Sequence, residues 1–350
     1  MPDSGHKVQL DRRNFLKIGG ASAATLGASG SLAAATVQGA PASSDAVPAA
    51  SAEFAAPTKY PKLALITDYS PQKLAFATAT GYEGVVVPVN SFFDPDKLSD
   101  SQIDQILVTL RETGARIISI ECWGLNHIHP EFTKRQAAQA RFIRYLEFAH
   151  RLGCKFCGTF SGGMPGEPLS SQAKEFAAVV SDKYLPVLER LDLNIGWENS
   201  PNAENFASVP AAYEQIFALV PSPRLGLEFD PSHFIRQYID PIATAWRFRD
   251  RIRSVHAKDT EIIGPVLNQV GIHGEGWWRY RIPGQGLLDW PKFITVLLEA
   301  GFQGAMAVEH EDPFWDIPNM AEQTEFSQER KDGFILAHRF LRQYVPARLT

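Results

Sequence analysis

LNIGWEN at 193–199 and RLGLEFD at 224–230 decide the fold. In the first, Leu193, Ile195 and Trp197 alternate with Asn194, Gly196 and Glu198; in the second, Leu225, Leu227 and Phe229 alternate with Gly226, Glu228 and Asp230. A period of two puts alternate side chains on opposite faces of a β-strand. Each strand therefore has one bulky apolar face and one that is small or acidic. The bulky face suits packing against helices, and the small face suits the crowded interior of a closed sheet. GAMAVEHE at 304–311 repeats the arrangement, with Met306 and Val308 set against Ala305, Ala307 and Glu309. IRSVHAKD at 252–259 follows it more loosely, with Ser254 and His256 on one face.

Outward from these four runs, KLALITD (62–68), YEGVVVP (82–88), RIISIECW (116–123) and CKFCGTFS (154–161) complete a set of eight candidate strands. Amphipathic stretches separate them. Pro71 opens a helix that Gly81 ends, Ser99 precedes one that Gly114 ends, and further helices are expected over 131–152, 170–191, 210–220, 241–250, 289–300 and 324–344. Strands that alternate with helices imply parallel pairing with right-handed crossovers. The rival architecture, an open doubly wound sheet, loses support because no Gly-x-Gly-x-x-Gly follows the first strand. The expected fold class is α/β, a single-domain (β/α)8 TIM barrel over residues 61–350.

The first 60 residues have another character. Arg12-Arg13 with Phe15-Leu16-Lys17 precedes a mild Ala-, Gly- and Ser-rich run, which reads as a twin-arginine signal peptide over 1–40. Ala33-Ala34-Ala35 and Ala40-Pro41-Ala42 both offer a cleavage site, and the sequence does not choose between them. Residues 41–60 read as an Ala/Ser/Pro-rich linker. The expectation is a protein handed to the twin-arginine export machinery and sent to the periplasm or beyond, with no stable membrane span. Such a compartment permits disulfides. The three cysteines make no framework, however: Cys154 and Cys157, three apart on one strand, face opposite ways, and all three are expected to be buried free thiols. A net charge of −5 without a basic stripe sets nucleic-acid binding aside.

In a barrel, the ends of the last four strands bring Glu198, Asp230, His256 and Glu309 to one mouth, where active sites of this fold lie. Three carboxylates gathered there would repel one another, and a buried unpaired carboxylate costs several kcal/mol. One divalent ion answers the repulsion. Oxygen-rich ligation with one nitrogen suits Mn2+ first, with Mg2+, Co2+, Zn2+ or Fe2+ as alternatives.

WEN (197–199), EFDPSH (228–233), VHAKD (255–259), RIPGQGLLDW (281–290) and AVEHED (307–312) together resemble the xylose-isomerase-like TIM-barrel family of sugar isomerases and epimerases, over roughly residues 62–345. The resemblance implies that Glu198, Asp230, His256 and Glu309 hold one metal, and that Glu198 and Glu309 act as the acid/base pair. It also makes His233 and Arg281 substrate contacts, with backbone satisfaction for His233 and an ion pair with a rim acid for Arg281 as the rival readings, and it suggests a homo-oligomer, since family members are often dimers or tetramers.

Lys258 shares strand parity with His256 and is expected either to steady an enolate oxygen or to pair with a metal-binding carboxylate. Trp123 and His127, which follow the third strand, are candidates for stacking on or binding a sugar. Glu228 lies one layer below Asp230 and reads as a buried ion-pair member, while His310 and Glu311 are expected on the rim. The stretch 260–287, with GIHGEGWWRYRIPGQG, is long for a connection in a compact domain and reads as a lid or substrate-shaping loop, with an oligomer contact as the rival.

The ligand set serves several reactions. Returning an abstracted proton to the opposite face epimerises, returning it to the neighbouring carbon isomerises, and losing a β-substituent eliminates. Isomerase or epimerase action on a sugar or keto-sugar leads. A lyase or hydratase acting on an oxidised sugar or glycoside is the rival, and an exported sugar-binding barrel without chemistry is the third reading. An endonuclease-IV-like repair enzyme would need further zinc ligands and a basic groove, and neither is apparent.

Overall fold

A computed structural model describes residues 60–202, 204–315 and 324–347. The signal peptide and nearly all of the linker expected before the barrel lie outside these residues. Strand and helix alternate as the pattern predicts: β1 (Lys62–Ile66), α1 (Pro71–Thr80), β2 (Gly84–Pro88), α2 (Asp100–Thr113), β3 (Ile117–Cys122), α3 (Phe132–Arg151), β4 (Phe156–Thr159), α4 (Leu169–Val179), α5 (Leu185–Leu191), β5 (Asn194–Glu198), α6 (Pro210–Leu219) and β6 (Leu225–Phe229). Then come α7 (Pro231–Arg236), α8 (Pro241–Phe248), β7 (Ile252–Ala257), β8 (Asp259–Ile262), α9 (Gly264–Val270), β9 (Trp278–Arg281), α10 (Trp290–Glu299), β10 (Ala305–Val308) and α11 (Gln328–Leu341). The eight expected strands pair in parallel in the order β1-β10-β7-β6-β5-β4-β3-β2, and β1 also pairs with β2, which closes the barrel. Among the described residues, no helix is long and apolar enough to cross a membrane.

Local chemistry sets the helix limits. Ser99 and Gln102 form a reciprocal capping box at the start of α2, and Gly114 ends that helix in the left-handed region at φ 66°. The single helix expected over 170–191 is instead interrupted by a wide turn at Val180–Tyr184. Pro186 lies two residues beyond. Its nitrogen cannot donate and its ring crowds the preceding turn, which accounts for the local widening.

Strand parity sorts the interior into two layers. Leu63, Leu65, Val85, Val87, Ile195, Trp197, Leu225, Leu227, Met306 and Val308 face the helices and belong to the large core between sheet and helix ring. Loss of a buried ring such as Trp197 would cost about 3–5 kcal/mol. A separate small cluster of Ala64, Ile66, Val86, Ala305 and Ala307 fills the lumen on the β1, β2 and β10 side. The opposite wall carries Glu121, Glu198, Glu228 and His256, all buried.

The three cysteines are free and buried, and Cys157 lies 3.4 Å, sulfur to sulfur, from Cys122 on the neighbouring strand. The 260–287 stretch folds as an insertion. β8 and β9 pair antiparallel, with Asp259 opposite Arg281 and Ile262 opposite Trp278. Asp259, fully buried, fastens it. Its carboxylate accepts from the backbone N–H of Thr260 (2.9 Å), Gly284 (3.2 Å) and Leu288 (3.0 Å), and from Trp290 Nε1 (2.9 Å). A side chain at position 286 would collide with this carboxylate, since a Cβ there would lie 2.2 Å from Oδ1, so Gly286 is required. Asp259→Ala strands four donors and is expected to lower unfolding stability by about 2–4 kcal/mol and to open the 263–287 segment to proteolysis. Denaturant titration and limited digestion measure the two effects.

Candidate metal and proton-transfer site

The strand ends deliver four polar side chains to one point. Glu198 is the last residue of β5, Asp230 and Glu309 follow β6 and β10 directly, and His256 lies near the end of β7. Their ligand atoms all lie within 4.8 Å of one another. His256 Nδ1 is 3.2 Å from Glu198 Oε1, 3.2 Å from Glu309 Oε2 and 4.0 Å from Asp230 Oδ2.

The neighbouring chain orients these groups. Asp230 caps α7 by accepting the Ser232 N–H through Oδ1 (2.8 Å), which leaves Oδ2 to face the cluster. Asn199 holds the Asp230 backbone from both sides: its Oδ1 accepts the Asp230 N–H and its Nδ2 donates to the Asp230 carbonyl, each at 2.8 Å. Asn205 donates to the Glu198 carbonyl at 2.8 Å.

Lys258 is buried in the same place. Its Nζ lies 2.7 Å from Glu309 Oε2, 2.7 Å from Glu311 Oε2 and 3.1 Å from Asp230 Oδ2. Glu311, expected on the rim, thus joins the cluster through the lysine. Burial alone would neutralise Lys258, but the three carboxylates outweigh it and hold the ammonium well above its usual range. Burial likewise pushes Glu309 up, while Lys258 and His256 pull it down to about 2. Glu198 is held well below the carboxylate range, with His256 and His233 outweighing burial. Burial would deprotonate His256, yet Glu228, Glu198 and Glu309 hold its imidazole well above the usual range. Metal ligation by this ring therefore releases a proton. Glu198, Asp230, Glu309 and Glu311 together still outnumber the one ammonium. A divalent cation among three carboxylate oxygens and one imidazole nitrogen fits that imbalance, and Asp230 Oδ2, buried beside the Lys258 ammonium with no aligned hydrogen bond, faces the same point.

A directed hydrogen-bond chain reaches Glu198 from the insertion. Arg236 Nη1 donates to Tyr280 Oη at 2.9 Å, Tyr280 Oη meets His233 Nδ1 at 2.7 Å, and His233 Nε2 meets Glu198 Oε1 at 2.9 Å. A guanidinium only donates. The tyrosine therefore passes its own proton to Nδ1, and His233 presents Nε2–H to Glu198. Trp278 supports the chain by stacking under Arg236, 4.0 Å from ring centroid to guanidinium. Trp123 lies beside the cluster, its ring 6.1 Å from that of His256.

Three expectations change. His127 is fully buried outside the barrel, not at the mouth: its Nδ1 bonds Tyr184 Oη (2.7 Å), its Nε2 bonds Thr159 Oγ1 (2.9 Å), and Phe142 packs on the ring. Both nitrogens are committed, so it has none left for a sugar. Arg281 spends its guanidinium on Asp312 (2.9 Å) and Glu261 (2.6 Å), and no cluster atom is among its contacts. His310 is buried against Phe334 of α11 rather than on the rim. Sequence reading missed Tyr280, Arg236 and, deep in the lumen, Glu121. Glu121 faces Glu228 there, and Glu228 Oε1 lies 3.2 Å from His256 Nε2.

The chain matches the family model described as xylose isomerase-like TIM barrel over residues 74–343. It is 32% identical over 200 residues to the uncharacterized protein YfiH of Bacillus subtilis (strain 168), an alignment covering 48% of this chain and 63% of that protein. It is 21% identical over 196 residues to an inosose dehydratase of Lacticaseibacillus casei, covering 51% and 65%. The matches thus span less than two thirds of these relatives. Among solved structures, 3-keto-D-glucoside 4-epimerase YcjR from E. coli aligns with a TM-score of 0.60 at 14% identity, covering 80% of this chain and 99% of that one. Mannonate dehydratase from Streptococcus suis serotype 2 aligns at 0.62 and 14%, covering 81% and 93%. At these identities the structural likeness is one of fold.

His127 carries a pH signature. Burial lowers it to about 3, far below the 6.5 of an exposed imidazole. Between those values the unfolded chain takes up a proton that the folded chain refuses, so stability is lost as pH falls from 6.5 toward 3. His127→Asn should lose less stability over that window than the parent, as measured by urea unfolding at a series of pH values.

Proposed function

We propose, from the premise that this chain belongs to the xylose isomerase-like TIM-barrel family, that it is a divalent-metal-dependent isomerase or epimerase that shuttles a proton on a sugar or keto-sugar. The observation that carries this reading is the convergence of Glu198, Asp230, Glu309 and His256 Nδ1 on one point at the ends of the strands. Those four residues would hold the ion, with Mn2+ the first choice for such a donor set. When bound, the ion acts as a Lewis acid that stabilises negative charge on a substrate oxygen.

The protein groups supply the rest. Glu198 and Glu309 are both held ionised, so either can take a proton from carbon next to a carbonyl. Glu198 keeps its orientation through His233, and Glu309 through Lys258. Proton return by the second glutamate completes epimerisation or isomerisation. Trp123 offers an apolar face to a sugar ring beside this pair. Lys258 and Arg281 are already paired with carboxylates, which favours an uncharged sugar over a sugar phosphate.

A second reading, dehydration, draws on one feature in particular. The Lys258 ammonium, buried against Glu309, is placed to protonate a leaving hydroxyl or to steady an enolate oxygen. The inosose dehydratase relative points the same way.

The N-terminal Arg12-Arg13 pair supports an export route through the twin-arginine machinery, with the working protein in the periplasm or beyond.

Purified protein should bind about one divalent ion per chain by elemental analysis, and Asp230→Ala or His256→Ala should lose it. With candidate sugars in D2O, deuterium in the recovered or epimerised sugar marks enolisation and an unsaturated product marks dehydration. Glu198→Gln or Glu309→Gln should cut turnover by roughly 10²–10⁴. No exchange with any sugar that binds would leave only a binding protein. For the export reading, replacing Arg12 and Arg13 together by lysine should keep the protein in the cytoplasm on cell fractionation, and unchanged export would sink it.

A further inference from the structure

We propose that the end of the barrel where the strands begin, opposite the metal centre, holds a second binding site that takes a small tetrahedral oxyanion such as inorganic phosphate or sulfate. The inference does not rest on the metal-site reading.

The strand starts gather cations that are far apart in the chain. Lys62 opens β1, Arg116 precedes β3, Lys155 precedes β4, Arg224 precedes β6, and Arg253 is the second residue of β7. Parallel closure puts all of them at one end. A chain of net charge −5 thus carries a positive floor. The acids at the same level are engaged. Asp192 is shared between Lys155 (2.7 Å) and Arg224 (3.4 Å), and Arg342 holds Glu83 at 3.0 Å. Lys62 Nζ reaches the Gln303 carbonyl at 3.4 Å. Arg253 donates to the carbonyls of Pro223, Asp250 and Ile252, so it offers charge rather than free N–H groups. Burial, together with the neighbouring Arg251, lowers the pKa of that guanidinium, and an anion beside it would relieve both effects.

Between these side chains lies a recess of about 200 Å³. Lys62, Lys155, Arg253, Asn194, Ser119 and Ser254 line it, and among the described residues no carboxylate does. Its two hydroxyls differ. Ser119 Oγ is committed to Glu121 Oε1 at 2.8 Å. Ser254 Oγ is buried and makes no hydrogen bond. A buried hydroxyl left in that state costs free energy and calls for an occupant that can accept its proton. Water would satisfy the hydroxyl but leave the cations unmatched. An oxyanion does both, and a hydrogen bond to an ionised acceptor is the stronger kind. The hydroxyl's burial inside the recess favours a small ion over an extended polyanion. A ligand held there ties together the starts of β1, β4 and β7 and, by binding only the folded chain, raises its stability.

Calorimetric titration of the full chain without added divalent metal should give one saturable phosphate site with a Kd of about 1 mM or tighter, and sulfate should compete for it. The melting temperature should rise with phosphate and not with chloride at equal ionic strength. Ser254→Ala and Lys62→Gln should each weaken phosphate about tenfold. Ser254→Ala removes no hydrogen bond from the free protein, so without phosphate it should melt no lower than the parent, which separates a lost ligand contact from a damaged fold. Absence of saturable binding, parent-like affinity in both variants, phosphate uptake only in the presence of Mn2+, or a chloride effect equal to that of phosphate would overturn the inference.

Discussion

Repulsion among buried carboxylates is the constraint on which the rest of this structure depends. Strand parity sends Glu198, Glu228, Asp230 and Glu309 to one side of the lumen, the first three fully buried and the last mostly so, where water screens them poorly. A low-dielectric interior makes such a gathering costly unless each oxygen finds a compensating charge or donor. Each does so differently. Lys258 lies between Glu309 and Glu311, His233 donates to Glu198, the first turn of α7 takes one oxygen of Asp230, and Glu228 lies against His256. Those compensations fix rotamers that loops alone would not.

Much of this could be read in the chain because parity is strict where the site is built. WEN and EFD announce their inward carboxylates by the apolar residues between them. β3 is different. Its pairing with β2 shifts register between Val85 and Val86, so that Val85 faces Ile117 and Val86 faces Ser119. Ile118 is the extra residue and packs into the lumen cluster, so the period of two breaks in the middle of RIISIEC. Glu121 is therefore hidden from a pattern argument. His127 was misplaced for another reason. The chain after β3 turns back over the sheet, and Thr159 and Tyr184, both far along the chain, draw the ring into the outer core.

The insertion between β7 and α10 was legible as a long, aromatic and glycine-rich segment, but not as a hairpin. Its register depends on one carboxylate, Asp259, and on donors up to 31 residues away, and no local propensity encodes such contacts. The same distance hides Tyr280. As one of several aromatics in GWWRYR it carries no mark of its own, and its role exists only because β9 brings it beside His233.

That hairpin is held to the barrel near its two ends, by the Asp259 carboxylate, the Tyr280 hydroxyl, the Arg281–Asp312 ion pair and the Thr260 hydroxyl on the Ser232 carbonyl. The residues from Gly264 to Gly276 lie between those attachments and contribute no strand to the barrel. Length and composition there are free to vary without disturbing the pairing of the eight strands. Barrel closure is thereby encoded apart from this stretch, so a lineage can change one while inheriting the other intact.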